Sequence, residues 1–129
     1  MATTFLDASA LVKLVRDEPE SQALIDYLDG RSSVEASEIS ITEVGRAVRR
    51  TFPDADASEA LDGVVMHKVT SALLRRAVLL QPPTLRALDA IHLATALSLS
   101  TEDVDVITYD TRLAEAARAH GLRVTQPGR

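Results

Sequence analysis

Asp7, Glu43, Asp89 and Asp110 are the residues of this 129-residue chain whose type and placement could do chemistry. Asp7 interrupts the opening run "TTFLDASALV", where β-forming residues give way to helical spacing at Leu11, Val12, Leu14 and Val15. A carboxylate at such a junction is explained as well by helix capping or a turn as by ligand binding, so its companions decide. Glu43 is expected in the first turn of the helix after the second predicted strand, and Asp110 closes the strand "VITY". Asp89 stands early on the longest helical pattern, among Leu88, Ala90 and Ile91, where exposure to solvent is not expected. Four carboxylates sharing one cleft raise one another's pKa and strain the site unless a cation intervenes. All-oxygen ligation suits Mg²⁺ or Mn²⁺ and disfavours zinc, because cysteine is absent and the three histidines are scattered. The corresponding chemistry is metal-assisted hydrolysis of a phosphodiester.

The elements that must bring these acids together alternate as strands and amphipathic helices. The pattern predicts a first strand over Thr3 to Leu6, helices near Ser9 to Arg16 and Glu20 to Asp29, and a strand around Ala36 to Ser40. A helix follows with Ile41, Val44, Ala47 and Val48 on one face and Ser40 or Thr42 as its cap, running to Phe52. A short helix over Ala57 to Leu61, a strand over Val64 to Val69 and the helical run "SALLRRAVLL" come next. "TLRALDAIHLATALSL" is expected as one long helix, "DVDVITYD" as a buried strand, Thr111 to His120 as a helix, and "LRVT" as the last strand. Crossover helices between strands imply a parallel sheet between helical layers, in which ligands bind beyond the carboxyl ends of the strands.

Length and a hydrophobic content of 46% fit a single domain over residues 1–129. No basic segment precedes an apolar signal core, and no apolar run approaches the ~20 residues of a membrane span, so a soluble cytoplasmic protein with no membrane partner is expected. The formal net charge of −5 argues, taken alone, against nucleic acid, and an aromatic content of 3% leaves too few rings for a base-stacking platform. Neutralising four carboxylates would bring that charge to −1, which makes a bound metal part of any RNA-binding surface.

Rival chemistries fail on particular residues. A phosphoryl-accepting receiver domain needs an acidic neighbour for Asp7 and a lysine near the fifth strand, yet no lysine follows Lys68. A D-x-D nucleophile is disfavoured by Ser9, and no glycine-rich phosphate loop appears. In their order along the chain, "FLDASALVKL", "ITEV", "LDAIHLATAL" and "ITYDTRL" resemble the PIN-domain ribonucleases, most closely the VapC-type toxins of bacterial toxin–antitoxin pairs. The resemblance implies a three-layer α/β/α sandwich around a five-stranded parallel sheet. It also implies a Mg²⁺- or Mn²⁺-dependent endoribonuclease with ligands at Asp7, Glu43, Asp89 and Asp110, a VapB-type antitoxin as partner, and a homodimer. An inactive PIN-fold module that binds protein or RNA, or a housekeeping nuclease without an antitoxin, is the alternative.

Supporting residues have bland explanations beside the functional ones. Ser9 and Thr108 are candidates to stand behind the acids, although a serine opening a helix is first a cap and a strand threonine needs no function. Arg46, Arg49, Arg50 and Arg112 are candidates to hold RNA phosphates, against the competing explanation of a solvated helix face. His92, one helical turn after Asp89, could orient a carboxylate; a structural histidine is the expectation. The helical pair from Ser9 to Asp29, with Leu14, Leu24, Ile25 and Leu28, is the expected antitoxin surface.

Overall fold

Five parallel strands pair in the order β3–β2–β1–β4–β5, with β1 at Thr3–Leu6, β2 at Val34–Ser37, β3 at Val65–His67, β4 at Val104–Ile107 and β5 at Arg123–Thr125. The computed structural model describes residues 3–31, 33–99 and 103–129. β1 lies at the centre, with Leu6 opposite Ile107 on β4 and Phe5 opposite Glu35 on β2. All four residues of β1 are buried, as expected of a parallel strand covered on both faces.

Alternation along β1 and β4 divides the interior in two. Leu6 and Ile107 face α1 (Ala8–Val15), α2 (Ser21–Leu28) and α3 (Ile39–Thr51), where Leu11, Leu24 and Val44 are fully buried. Phe5 and Val106 face the other way, toward Ala96 on α5 (Ala87–Ser98). α4 (Ser71–Val78) and α6 (Thr111–Ala119) flank α5 on that side, through clusters built on Leu73, Ala90 and Ala94 and on Leu93, Leu113 and Ala117. Each large aliphatic side chain removed from water contributes about 1.5–3 kcal/mol relative to exposure. The result is the expected α/β/α sandwich.

Element ends depart from the sequence pattern for local reasons. α1 is capped by Asp7, whose side chain accepts from Ala10 N–H, so Ser9 is inside the helix and is not its cap. β2 ends at Ser37 and α3 starts at Ile39 after Glu38, with no side-chain cap; Ser40 and Thr42 lie within it. Glu43 consequently falls in the second turn, not the first. α5 loses its expected first turn because the chain folds back at Pro82, with Leu85 N–H donating to its carbonyl, and helix begins only at Ala87. The run at Ala57 to Leu61 reduces to a 3₁₀ turn at Glu59–Leu61, and β4 stops at Ile107, which leaves Thr108 in the loop. No helix among the described residues is long and apolar enough to cross a membrane.

Candidate active site

The strand order reverses between β1 and β4, so the segments leaving their carboxyl ends diverge and open a crevice there. Asp7 follows β1 immediately, and Asp110 follows β4 by three residues. Each caps the helix it introduces. Asp110 Oδ1 accepts from Arg112 N–H at 2.9 Å and Leu113 N–H at 3.1 Å, and Asp7 Oδ1 accepts from Ala10 N–H at 3.1 Å. Capping, the bland explanation for a junction aspartate, is therefore correct for both, and it is also what fixes their carboxylates.

Ser9 and Thr108 complete the support of Asp7. Ser9 Oγ donates to Oδ1 at 2.7 Å and Thr108 Oγ1 to Oδ2 at 2.6 Å. Thr108 Oγ1 also accepts from Asp110 N–H at 3.1 Å, and Ser9 Oγ accepts from Tyr109 N–H at 2.9 Å. Two hydroxyls thus stitch the start of α1 to the loop after β4. Asp7 is only 3% exposed, and burial pushes its pKa up even though the bonds from Thr108 and Ser9 pull the other way.

Asp89 is half-buried in the first turn of α5, less sheltered than expected, beside an exposed Leu88. Burial raises its pKa first, and the charges of Asp110, Asp7 and Glu43 raise it further. All three other acids thus act on Asp89 electrostatically. Among the described residues no cation pairs with Asp7, Asp89 or Asp110. Glu43 alone has a basic partner, His92 Nε2, at 2.6 Å from Oε1.

This donor set suits a hard, largely hydrated divalent ion. It is all oxygen, it carries repulsion that a cation would relieve, and it is open: no three His, Asp or Glu side chains among the described residues enclose a metal position. Mg²⁺ commonly keeps several waters and takes only one or two carboxylates, whereas a closed cage is the mark of other metals.

Two clefts flank the acids. One, of 540 Å³, runs between α1 and α3 and is lined by Ser9, Lys13, Arg16, Glu43, Arg46, Arg50, Leu88 and Tyr109 among others. The second, of 280 Å³, is lined by Arg86, Asp89, Asp110, Thr111 and Arg112. Arg46 and Arg50 share the face of Glu43 at helical spacing. Arg49 does not: it falls about a third of a turn away, lines neither cleft and acts instead on Asp56.

Sequence reasoning missed Arg16 and Arg86 as members of these clefts and left the partner of His92 unnamed. Arg86 precedes Asp89 by three positions, a spacing that places both on one side of a helix start, and this signal was available. Arg16 lies beyond a helix end, where spacing carries no information.

A model of the PIN domain matches residues 4–119. The chain belongs to the PIN-domain family. Within it, this PIN domain is of the VapC ribonuclease type. Ribonuclease VapC35 of Mycobacterium tuberculosis is 39% identical over 130 residues, covering 96% of either chain. Ribonuclease VapC46 of the same organism is 40% identical over 129 residues, covering 98% of this chain and 99% of the relative. Solved structures agree on the PIN fold. Mycobacterium tuberculosis VapC20, described as a Sarcin-Ricin loop cleaving toxin, superposes with a TM-score of 0.75 at 17% identity, covering 96% of this chain and 99% of that one. A chain of FitAB bound to an IR36 DNA fragment gives 0.68, also at 17% identity, covering 98% and 96%.

Proposed function

We propose that this VapC-type ribonuclease is a Mg²⁺- or Mn²⁺-dependent endonuclease that hydrolyses phosphodiester bonds of structured RNA in the cytoplasm, as the toxin of a pair restrained by a VapB-type antitoxin. The observation that supports this reading is that Asp7 and Asp110 cap the helices leaving β1 and β4 at the crevice, with Asp89 near enough to both, and to Glu43, for their charges to raise its pKa. These four residues are the ones that would hold the metal. When bound, the ion supplies an acidified water and neutralises charge on the phosphoryl oxygens.

The protein's own contribution is orientation and attraction. Ser9 and Thr108 fix both oxygens of Asp7, so that carboxylate need not reorganise when substrate arrives. Arg46 and Arg50 on one side and Arg86 and Arg112 on the other stand where phosphates flanking the scissile bond would lie. Arginines lining both clefts offset the net negative charge locally, next to the four candidate ligands.

The antitoxin part draws on FitAB, a structural neighbour solved on DNA, and on the VapC names of the relatives. The helical pair α1–α2 offers less apolar surface for that partner than expected, because Leu24 is wholly buried, Leu14 and Leu28 pack against the core, and only Ile25, at 48%, is exposed. A homodimer belongs to the same reading, supported by Val78 and Leu79 at the end of α4, which are 81% and 77% exposed.

The test is cleavage of structured RNA by purified protein with Mg²⁺ or Mn²⁺, with EDTA, and with Asp7→Asn. Metal-dependent cleavage lost in the variant is expected; undiminished cleavage by folded Asp7→Asn, with contaminating nuclease excluded, overturns the assignment. Growth arrest on expression, relieved by the cognate antitoxin, tests the toxin role.

A further inference from the structure

Glu43 differs from its companions in how it is held. Asp7 and Asp110 are short side chains anchored by backbone N–H groups at helix starts. Glu43 lies in the second turn of α3, has a longer and freer side chain, and is 27% exposed in the 540 Å³ cleft. The single side-chain hydrogen bond of Glu43 among the described residues comes from His92 Nε2 at 2.6 Å. His92 is only 2% exposed and sits one turn after Asp89 on α5, so one short stretch of helix supplies an acid and grips another across the two helical layers.

The identity of the donor follows from its surroundings. An ionised carboxylate only accepts, so the proton in this bond belongs to Nε2. His92 Nδ1 is buried with no hydrogen-bond partner among the described residues. A proton there would be a buried donor left unmade, a costlier defect than an idle lone pair on a ring nitrogen. The ring accordingly presents Nε2–H to Glu43 Oε1 and leaves Oε2 unbonded among the described residues.

We infer that His92 is a positioning residue that locks the Glu43 carboxylate through its Nε2–H, so that Oε2 is held ready for the divalent ion. This rests on the metal-nuclease reading given above. Residues that orient metal-binding side chains in this way typically change metal affinity ten- to hundredfold when removed, a range of about 10–100.

The experiment compares His92→Gln, whose amide nitrogen reaches roughly the place of Nε2, with His92→Asn, whose shorter amide does not. Mn²⁺ affinity of the RNA-free protein is measured by electron paramagnetic resonance, and ¹⁵N NMR of the wild-type imidazole reports which nitrogen carries the proton. The expected result is a protonated Nε2 and a bare Nδ1. Mn²⁺ affinity should be near wild type in His92→Gln and about ten- to hundredfold weaker in His92→Asn, with both variants folded by circular dichroism. A proton on Nδ1, wild-type affinity in folded His92→Asn, or equal losses in the two variants overturns the inference. Mn²⁺ binding that Asp7→Asn abolishes but His92→Asn leaves intact overturns it alone; no Mn²⁺ binding by the wild type overturns the metal reading and this inference with it.

Discussion

Thr108 donates its hydroxyl proton to Asp7 Oδ2 at 2.6 Å, a bond spanning 101 positions of sequence and wholly buried. Thr108 Oγ1 in turn accepts from Asp110 N–H, so one atom sets the spacing of two of the four acids. Thr108→Val keeps the shape and removes that atom. It should cost about 1.5–3 kcal/mol, the usual loss for a buried hydrogen bond to a charged group, and cleavage should fall with it. Urea unfolding of the two proteins measures the first effect, and unchanged stability would show that the hydroxyl bridges nothing.

Asp89→Asn should separate stability from activity. Because the folded pKa of Asp89 is raised above its ordinary value of 3.8, the folded state holds the proton more tightly than the unfolded chain. The metal-free protein then loses stability as pH rises from the ordinary value through the raised one, and the loss persists above it. Replacement by Asn removes this penalty. The variant should equal or exceed the wild type in metal-free melts at neutral pH, the advantage should shrink as pH falls through the raised pKa and be gone below about 4, and cleavage should be absent. A variant that collapses at neutral pH makes Asp89 a structural residue.

Mg²⁺ should stabilise the wild type by about 1.4 kcal/mol at a free concentration tenfold above its dissociation constant, provided the unfolded chain does not bind it. Asp89→Asn should gain less. Melts at matched ionic strength separate binding from screening, which would act on both proteins alike.

Arginines of α3 should divide by face. Arg46→Ala and Arg50→Ala should each weaken RNA binding and lower the salt slope by about 0.7 per lost contact with a single strand, while Arg49→Ala, which lines neither cleft, should leave both unchanged. Titration of a catalytically dead Asp7→Asn background at several salt concentrations reads the slopes, and equal effects at all three positions would mean a diffuse charge effect in place of a lined cleft.

Asp105 should matter for stability alone. It is wholly buried on β4, away from the crevice, and accepts from the hydroxyls of Tyr27 and Thr125, with Arg31 and Arg123 within 3.8 Å. Asp105→Ala strips two hydroxyls of their acceptor and should cost about 2–4 kcal/mol, while the residual folded enzyme keeps its Mn²⁺ affinity.

Asp7 and Asp110 were legible in the sequence because a strand, an acid and a helix follow one another without a break, and local order alone fixes that geometry. Glu43 was legible as a helix residue after β2 but not in its turn, since Ser37 to Ser40 satisfies strand and helix patterns alike and pairing with β3 decides. The partner of His92 was not legible because it is on another helix, and no spacing within α5 announces a contact with α3. Asp105 looked like one more letter of a buried strand; what makes its burial tolerable lies on α2 and β5. The face of Arg49 was lost by counting arginines as a group, although 100° per residue already separated it from Glu43.

The loop carrying Thr108, Tyr109 and Asp110 is braced by the tail. Gln126 Nε2 donates to the Thr108 carbonyl at 2.9 Å, Tyr109 Oη to the Pro127 carbonyl at 2.8 Å, and Arg129 lies over the Tyr109 ring, 5.2 Å from its centroid, while donating to the Tyr109 carbonyl. In the order of synthesis, all four acids leave the ribosome before the residues that steady the loop between two of them. Residues 126–129 thus hold the loop between Asp7's partner Thr108 and Asp110 in place, and a substitution among them acts on the candidate site although it touches none of the four acids.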